Sequence, residues 1–126
     1  MAEFFDVARF EVDKRTDVSI PETYTEIGNV TMAGAEEGTY EYGFSLTWLF
    51  DQVNKSEFLR FSSDGGVIWH ESNSELSDSA FEKRDAYQFY IPLSSGDLNL
   101  IVQVRKEDAT GVMDVQFADT WIKRVA

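Results

Sequence analysis

The fold class is decided by the stretch Tyr40-Glu41-Tyr42-Gly43-Phe44-Ser45-Leu46-Thr47-Trp48-Leu49-Phe50. Its even-numbered positions are all large and apolar, whereas most of the positions between them are small or polar. Successive side chains of a β-strand point to opposite faces, so this period of two predicts a strand with one buried face. The stretch is about twice as long as a typical strand, and we therefore expect a bend or bulge near Gly43.

Alternating apolar runs elsewhere predict further strands, separated by turns rich in Gly, Ser, Asp and Asn. They cover residues 5–12, 24–32, 58–61, 67–71, 86–93, 98–104 and 112–123, which with 40–50 gives seven or eight strands. No stretch has the period of an amphipathic helix. The sequence therefore predicts a single-domain antiparallel β-sandwich, jelly-roll-like, with an immunoglobulin-like sandwich as the open alternative.

Two finer expectations concern the last strand and the domain organisation. Met113, Val115, Phe117 and Trp121 are spaced to share the apolar face of the last strand, which predicts core positions for them and for Trp48. Residues 1–38 are less regular, and we interpret them as an N-terminal segment that is either a docking arm or the first strands. Residues 39–126 then form the sandwich core.

Composition excludes several kinds of chemistry. The 126 residues include no cysteine, which removes disulfides, thiol catalysis and cysteine-based zinc sites. The single His70 cannot form a histidine-rich metal site, and as an alternating strand residue next to Trp69 it is expected to be exposed. A net charge of −12 opposes binding to nucleic acid and to anionic membranes. We therefore expect a protein that is not an enzyme and that holds no cofactor and no metal.

The stretch Ser62-Ser63-Asp64-Gly65-Gly66-Val67-Ile68-Trp69 resembles the Asp-box, Ser-x-Asp-x-Gly-x-x-Trp, of sialidase-type propellers and many other extracellular β proteins. The resemblance implies a folded hairpin turn in which Asp64 accepts backbone N–H bonds, Gly66 adopts a positive φ and Trp69 packs beneath. Sialidases carry several copies together with an arginine cluster and a tyrosine nucleophile. A single copy in a chain this short therefore predicts a structural turn formed by Ser62, Asp64, Gly66 and Trp69, with no catalytic role.

A longer resemblance covers residues 40–125, about two thirds of the chain. It is carried by the strand and turn patterns at 42–48, 60–69, 105–108 and 113–122. These patterns are similar to those of small β-sandwich virion proteins of tailed bacteriophages. The resemblance implies a non-enzymatic structural protein, most simply a capsid decoration or cement protein that binds the outer capsid surface and stabilises it.

That resemblance also implies partners and a location. The expected partner is the major capsid protein, with self-association as a dimer or trimer, and the expected location is the virion after synthesis in the host cytoplasm. The N-terminus has no basic region followed by a long apolar run, so no secretory signal is expected. Candidate docking residues are the apolar side chains of the N-terminal segment, Phe4, Phe5, Val7 and Phe10.

A carbohydrate-binding or tail-associated receptor-binding module is the alternative function. It predicts an exposed aromatic side chain with polar neighbours in a groove. A hydrolase is a third and weaker hypothesis, because acids are plentiful but none lies in a pattern that marks a catalytic cleft.

Overall fold

The computed structural model describes residues 9–75 and 82–126. Six strands make up most of these residues: β1 (Phe10–Ile20), β2 (Thr25–Phe50), β3 (Ser56–Ser62), β4 (His70–Glu75), β5 (Lys83–Lys106) and β6 (Met113–Arg124). Every pairing between them is antiparallel. The hydrogen bonds join them in the order β1-β6-β2-β5-β3-β4. Among the described residues, no helix is long and apolar enough to cross a membrane.

Two long strands, β2 and β5, divide this sheet into two layers. Of the length of β2, β6 pairs with the second half alone, from Tyr40 to Phe50. Of the length of β5, β3 pairs with the end alone, from Ile101 to Lys106. The first layer is therefore β1, β6, the second half of β2 and the first half of β5. The second layer contains the other halves of β2 and β5 together with β3 and β4.

The strands pass from one layer to the other at a shared bend. The register of β2 against β5 shifts repeatedly between Met32 and Tyr40. Gly34 and Gly96, with φ of 60° and 87°, lie at this bend in the left-handed region that glycine tolerates best. Residues 33–38 and 94–97, which lie between the runs predicted as separate strands, are thus bulged parts of continuous strands. Counting the halves of β2 and β5 separately gives eight segments.

The layers meet across a common apolar core. The centroid of the Phe61 ring of β3 lies 5.4 Å from that of Phe44 in β2 and 5.5 Å from that of Phe89 in β5. β3 has no backbone pairing with the segments that carry Phe44 and Phe89, so these contacts cross between the layers. The even-numbered residues from Tyr40 to Phe50 all point into this core and are almost completely buried. Core side chains also come from the first half of β2, including Ile27, Val30 and Met32. The boundary predicted between residues 38 and 39 therefore falls inside β2, with buried core on both sides of it.

On the far side, β1 closes the sandwich by contacts to the start of β2. The Asn29 amide donates to Asp13 at 2.9 Å, and Arg15 donates to the Glu26 carbonyl at 3.0 Å. Because Asp13 and Arg15 lie on a strand that is otherwise paired only with β6, these contacts link the edges of the two layers.

The face assigned to the last strand needs a correction. The register of β6 against β2 shifts between Thr47 and Trp48, and this bulge moves the later residues of β6 to the opposite face. Ala118, Thr120 and Ile122 are consequently buried, whereas Phe117 is 62 % exposed and Trp121 lies on the outside of the first layer. The prediction of core positions for Phe117 and Trp121 was wrong, while Trp48 is fully buried.

This assignment can be tested on a single strand. Ile122→Ala should lower the free energy of unfolding by about 2–5 kcal/mol, because it leaves a cavity in the core. Phe117→Ala should change it by less than about 0.5 kcal/mol, because the ring is largely in solvent. Urea denaturation of both variants measures the difference, and equal losses would contradict the bulge.

Candidate binding face

The exterior of the first layer is a continuous sheet surface, which we name the outer face. Paired residues of antiparallel strands point to the same side, so the register aligns the outer face in four rows. The rows are Phe10-Lys123-Glu41-Tyr90, Val12-Trp121-Gly43-Gln88, Lys14-Asp119-Ser45-Ala86 and Thr16-Phe117-Thr47-Arg84. Aromatic rings, hydroxyls and both signs of charge are therefore interleaved on one surface.

Trp121 lies directly on the backbone of Gly43. A Cβ atom at Gly43 would come within 2.3 Å of the Trp121 ring, far inside contact distance. Only glycine leaves room for the indole to rest against the sheet at this point, and the Trp121 side chain is half-buried. The ring borders a groove of about 280 Å³ lined by Phe44, Ala86, Tyr87, Gln88 and Trp121.

Glu41 fixes the two rings that flank it. Its carboxylate accepts a hydrogen bond from Trp121 Nε1 at 2.9 Å and another from the Tyr90 hydroxyl at 3.1 Å. Lys123 approaches the same carboxylate at 3.7 Å. Glu41 is itself only 8 % exposed. Each carboxylate oxygen thus holds one aromatic side chain, so both rings are positioned before any ligand arrives.

The other half of the outer face is charged. A groove of about 430 Å³ runs past Phe117, with Lys14, Arg15, Thr16, Ser45, Leu46, Thr47, Arg84 and Asp119 as its other lining residues. Lys14 lies 3.8 Å from Asp119, so these two charges offset one another. The structure shows no hydrogen bond or ion pair from Arg84 to any described residue.

The turn at 62–69 is held by side chains at its base. The Ser62 hydroxyl donates to Asp64 at 2.6 Å, and the amides of Val67 and Ile68 donate to the same carboxylate oxygen at 3.1 and 3.0 Å. These bonds, that of Ser62 above all, lower the pKa of Asp64. Gly66 has a φ of 92° and donates its amide to Ser62. The turn is therefore fixed mainly by local hydrogen bonds.

Trp69 packs beneath this turn in a stack of rings and guanidinium groups. A Cβ atom at Gly66 would lie 3.4 Å from its ring, and the Arg60 guanidinium lies 4.1 Å from its centroid. The other side of Arg60 faces the Tyr24 ring at 4.0 Å. Arg105 continues the stack between Tyr24 and Phe58. Cation–π contacts of this kind fasten the turn and the β1–β2 connection to the second layer.

Exposed apolar side chains gather where β2 and β5 bend, and we name this region the bend end. Leu93 is 77 % exposed there, and Val125 is also exposed. The turn at 62–69 points toward the same end and presents Val67, which is 79 % exposed, and Ile68. The Arg9 side chain donates hydrogen bonds to the carbonyls of Ala33 and Gly34 at this bend.

The residues proposed from the sequence fall into separate regions. Ser62, Asp64, Gly66 and Trp69 come together in the turn, whereas Phe10 lies on the outer face. Phe4, Phe5 and Val7 lie outside the described residues. The cluster of Glu41, Trp121 and Tyr90 was missed, and its one signal in the sequence is a glycine inside an otherwise regular strand. His70 is exposed on β4 with its ring against Phe61.

A buried carboxyl group lies at the edge where β3 meets β5. Glu57 is 1 % exposed, and burial, followed by the neighbouring Asp85 carboxylate, raises the pKa of Glu57 to about 9. The Ser74 hydroxyl contacts one carboxyl oxygen at 3.4 Å, and the other finds no donor among the described residues. Asp85 is held by Trp48 Nε1 at 3.0 Å. Glu57 is therefore protonated at neutral pH.

Within residues 9–75 and 82–126, no three acidic or histidine side chains are grouped so as to hold a metal ion. No protein-family model matches the chain, and no curated protein matches it significantly by sequence.

Solved structures do match. The structure of T=1 particles derived from infectious bursal disease virus superimposes with a TM-score of 0.64 at 11 % identity, over 92 % of this chain and 32 % of the viral one. The VP2 subviral particle of the same virus superimposes with a TM-score of 0.57 at 11 % identity, over 92 % of this chain and 33 % of the viral one. The fold is a jelly-roll β-sandwich. This chain spans about a third of the length of those viral proteins, and identities this low show a shared fold alone.

A looser match is the structure of TmCBM61 in complex with β-1,4-galactotriose, with a TM-score of 0.46 at 12 % identity over 98 % of this chain and 93 % of that one. The neighbours thus include viral capsid proteins and a carbohydrate-binding domain.

Asp64→Ala should lower the melting temperature, because the amides of Val67 and Ile68 lose their acceptor. Hydrogen exchange at those two amides should speed up more than exchange in β6. Since the pKa of Asp64 is lowered in the fold, its stabilising effect should disappear as the pH falls below the ordinary aspartate range. Unchanged exchange at both amides would contradict this account of the turn.

Glu57→Gln should change how stability depends on pH. With a folded pKa of about 9, the native state keeps a proton that the unfolded state releases above its ordinary pKa near 4.5. Stability therefore falls as pH rises through this window and levels off above it. Melting curves at pH 5, 7 and 9 should show a flatter profile for the variant and a higher melting temperature than wild type at pH 9. Parallel profiles would contradict the buried, protonated state of Glu57.

Proposed function

We propose that this chain is a non-enzymatic structural protein of a tailed-phage virion that binds the outer capsid surface as a decoration protein and stabilises the shell. The proposed partner is the major capsid protein, and the proposed state on the shell is a dimer or trimer. The jelly-roll fold is compatible with this role. The net charge of −12 suits a protein that acts outside the shell, away from the packaged DNA.

The observation that carries the proposal is the grouping of exposed apolar side chains at the bend end. Val67, Ile68, Leu93 and Val125 have no core to join and are solvent-exposed at one end of the sandwich. Fully burying a side chain of this size contributes about 1.5–3 kcal/mol. The candidate docking side chains Phe4, Phe5 and Val7 of the N-terminal segment are proposed as part of the same docking surface.

The turn at 62–69 makes part of this surface rigid. Val67 and Ile68 are held by the Asp64 carboxylate through their own amides. A surface that is already ordered loses little conformational entropy on binding. Repeated copies on a capsid lattice would add avidity to a modest contact made by each chain.

A carbohydrate-binding module is the second candidate function. It is favoured by the outer face, where Glu41 holds the Trp121 and Tyr90 rings beside exposed polar side chains. The outer face covers the side of the first layer and the bend end lies at the tip of the sandwich, so one chain could use both.

A matched pair of double variants tests the docking end. Val67→Ser with Ile68→Ser should weaken binding to purified capsids that lack the chain by about tenfold or more, because two apolar contacts are lost. Val53→Ser with Val112→Ser removes two exposed apolar side chains from the loops at the opposite end, and it should bind like wild type.

Cosedimentation with increasing protein gives the affinity and the number of sites, and heating the loaded capsids gives the stabilisation. Wild-type chain that fails to saturate capsids would overturn the decoration role. Equal binding by the two double variants would remove the bend end as the docking surface.

A further inference from the structure

We propose that the outer face binds an acidic saccharide, with Trp121 as the stacking platform and Arg84 as the group that recognises the sugar carboxylate. The inference rests on the carbohydrate-binding candidate and names its ligand class. It is independent of docking at the bend end.

The platform suits a sugar ring. The Trp121 ring rests on Gly43 and lines a groove on the outer face. The C–H face of a pyranose is apolar and packs well on such a ring, whereas its hydroxyls point sideways. Because Glu41 holds the indole in place, binding does not need to order the ring.

Polar groups stand where those hydroxyls would reach. Gln88 occupies the same row as Trp121, and Ser45 lies in the adjacent row. Thr16 lines the second groove together with Ser45. A few polar groups around an apolar platform fix the orientation of a bound ligand.

The local charge of this groove favours an acidic sugar, although the net charge of −12 opposes polyanions at long range. In the two rows around Phe117, the charges of Lys14 and Asp119 offset each other at a distance of 3.8 Å. Arg15, which also lines the groove, forms ion pairs with Asp13 and Glu26. Arg84 is left as the uncompensated cation of the 430 Å³ groove. A guanidinium binds a carboxylate through two parallel hydrogen bonds, which a neutral sugar cannot supply. Glu82 lines a smaller groove with Arg84 and Phe117. This acidic side chain disfavours an anion on that side, so we expect the sugar carboxylate to reach Arg84 from the side of Ser45.

The spacing favours an oligosaccharide over a single sugar. Trp121 and Phe117 are four residues apart on β6, so their Cα atoms are about 13 Å apart along the strand. Ser45 lines one of the grooves beside these rings, and Ala86, its partner on the neighbouring strand, lines the other. A chain of sugars can therefore stack at Trp121 while its acidic residue lies at Arg84.

The experiment uses an array of uronic-acid tetrasaccharides built on glucuronate, galacturonate or mannuronate, each printed beside its methyl ester. The ester keeps the sugar skeleton and removes the charge. The full-length chain should bind at least one acid more tightly than its ester. Arg84→Gln should weaken binding of the acid by about tenfold and leave binding of the ester unchanged. Trp121→Ala should weaken binding of both.

Lys55→Gln is the matched control. It changes the net charge from −12 to −13, as Arg84→Gln does, but Lys55 lies in an end loop paired with Asp108. It should bind like wild type. If Trp121→Ala fails to fold, Phe117→Ser replaces it, since that ring is already in solvent.

Four results would overturn the inference, and they are distinguishable. Equal binding of acids and esters, or an acid preference that survives Arg84→Gln, removes Arg84 as the recognition group and leaves the carbohydrate-binding candidate standing. No binding to any tetrasaccharide removes that candidate too. Loss of capsid binding in Arg84→Gln and Trp121→Ala, without glycan binding, makes the outer face a protein interface.

Discussion

The paired bend of β2 and β5 is the constraint on which the rest of the molecule depends. Each long strand contributes one half to each layer, and the bulges between Met32 and Tyr40 turn both strands together. A flat sheet of this length would leave its apolar face in water. The bend instead brings Phe61 onto Phe44 and buries the whole even-numbered row of β2. It also gives the sandwich two unlike surfaces, a tip with exposed apolar side chains and a broad face with fixed aromatic rings.

The outer face is organised by one carboxylate. Glu41 sits on the solvent side of its strand, yet Trp121 and Tyr90 cover it and both donate to it. With both oxygens bonded and a lysine nearby, Glu41 is well satisfied despite its low exposure. Glu57 is the opposite case, because it is buried beside Asp85 with a pKa of about 9. The two glutamates differ in their partners much more than in their burial.

Most strands were predictable from the sequence, because period-two alternation is a local property. The turn at 62–69 was readable for the same reason, since Ser62 and Asp64 bond to atoms only a few residues away. The continuity of β2 through the glycine-rich segment 33–38 could not be predicted from the sequence, because turns and bulges use the same residue types. The faces of Phe117 and Trp121 depended on a bulge set by β2, which is far away in sequence. The contact of Trp121 with Gly43 and Glu41 has the same non-local origin.

The strand order also has a kinetic consequence. Of the neighbouring strands that the structure describes, only β3 and β4 follow one another in the sequence. Every other pairing closes a long loop before any backbone hydrogen bond forms, and topologies rich in such contacts fold slowly. The β3–β4 hairpin, with a turn that supplies its own hydrogen bonds, is the one pair that can form early. The remaining pairings all join strands that are distant in the sequence.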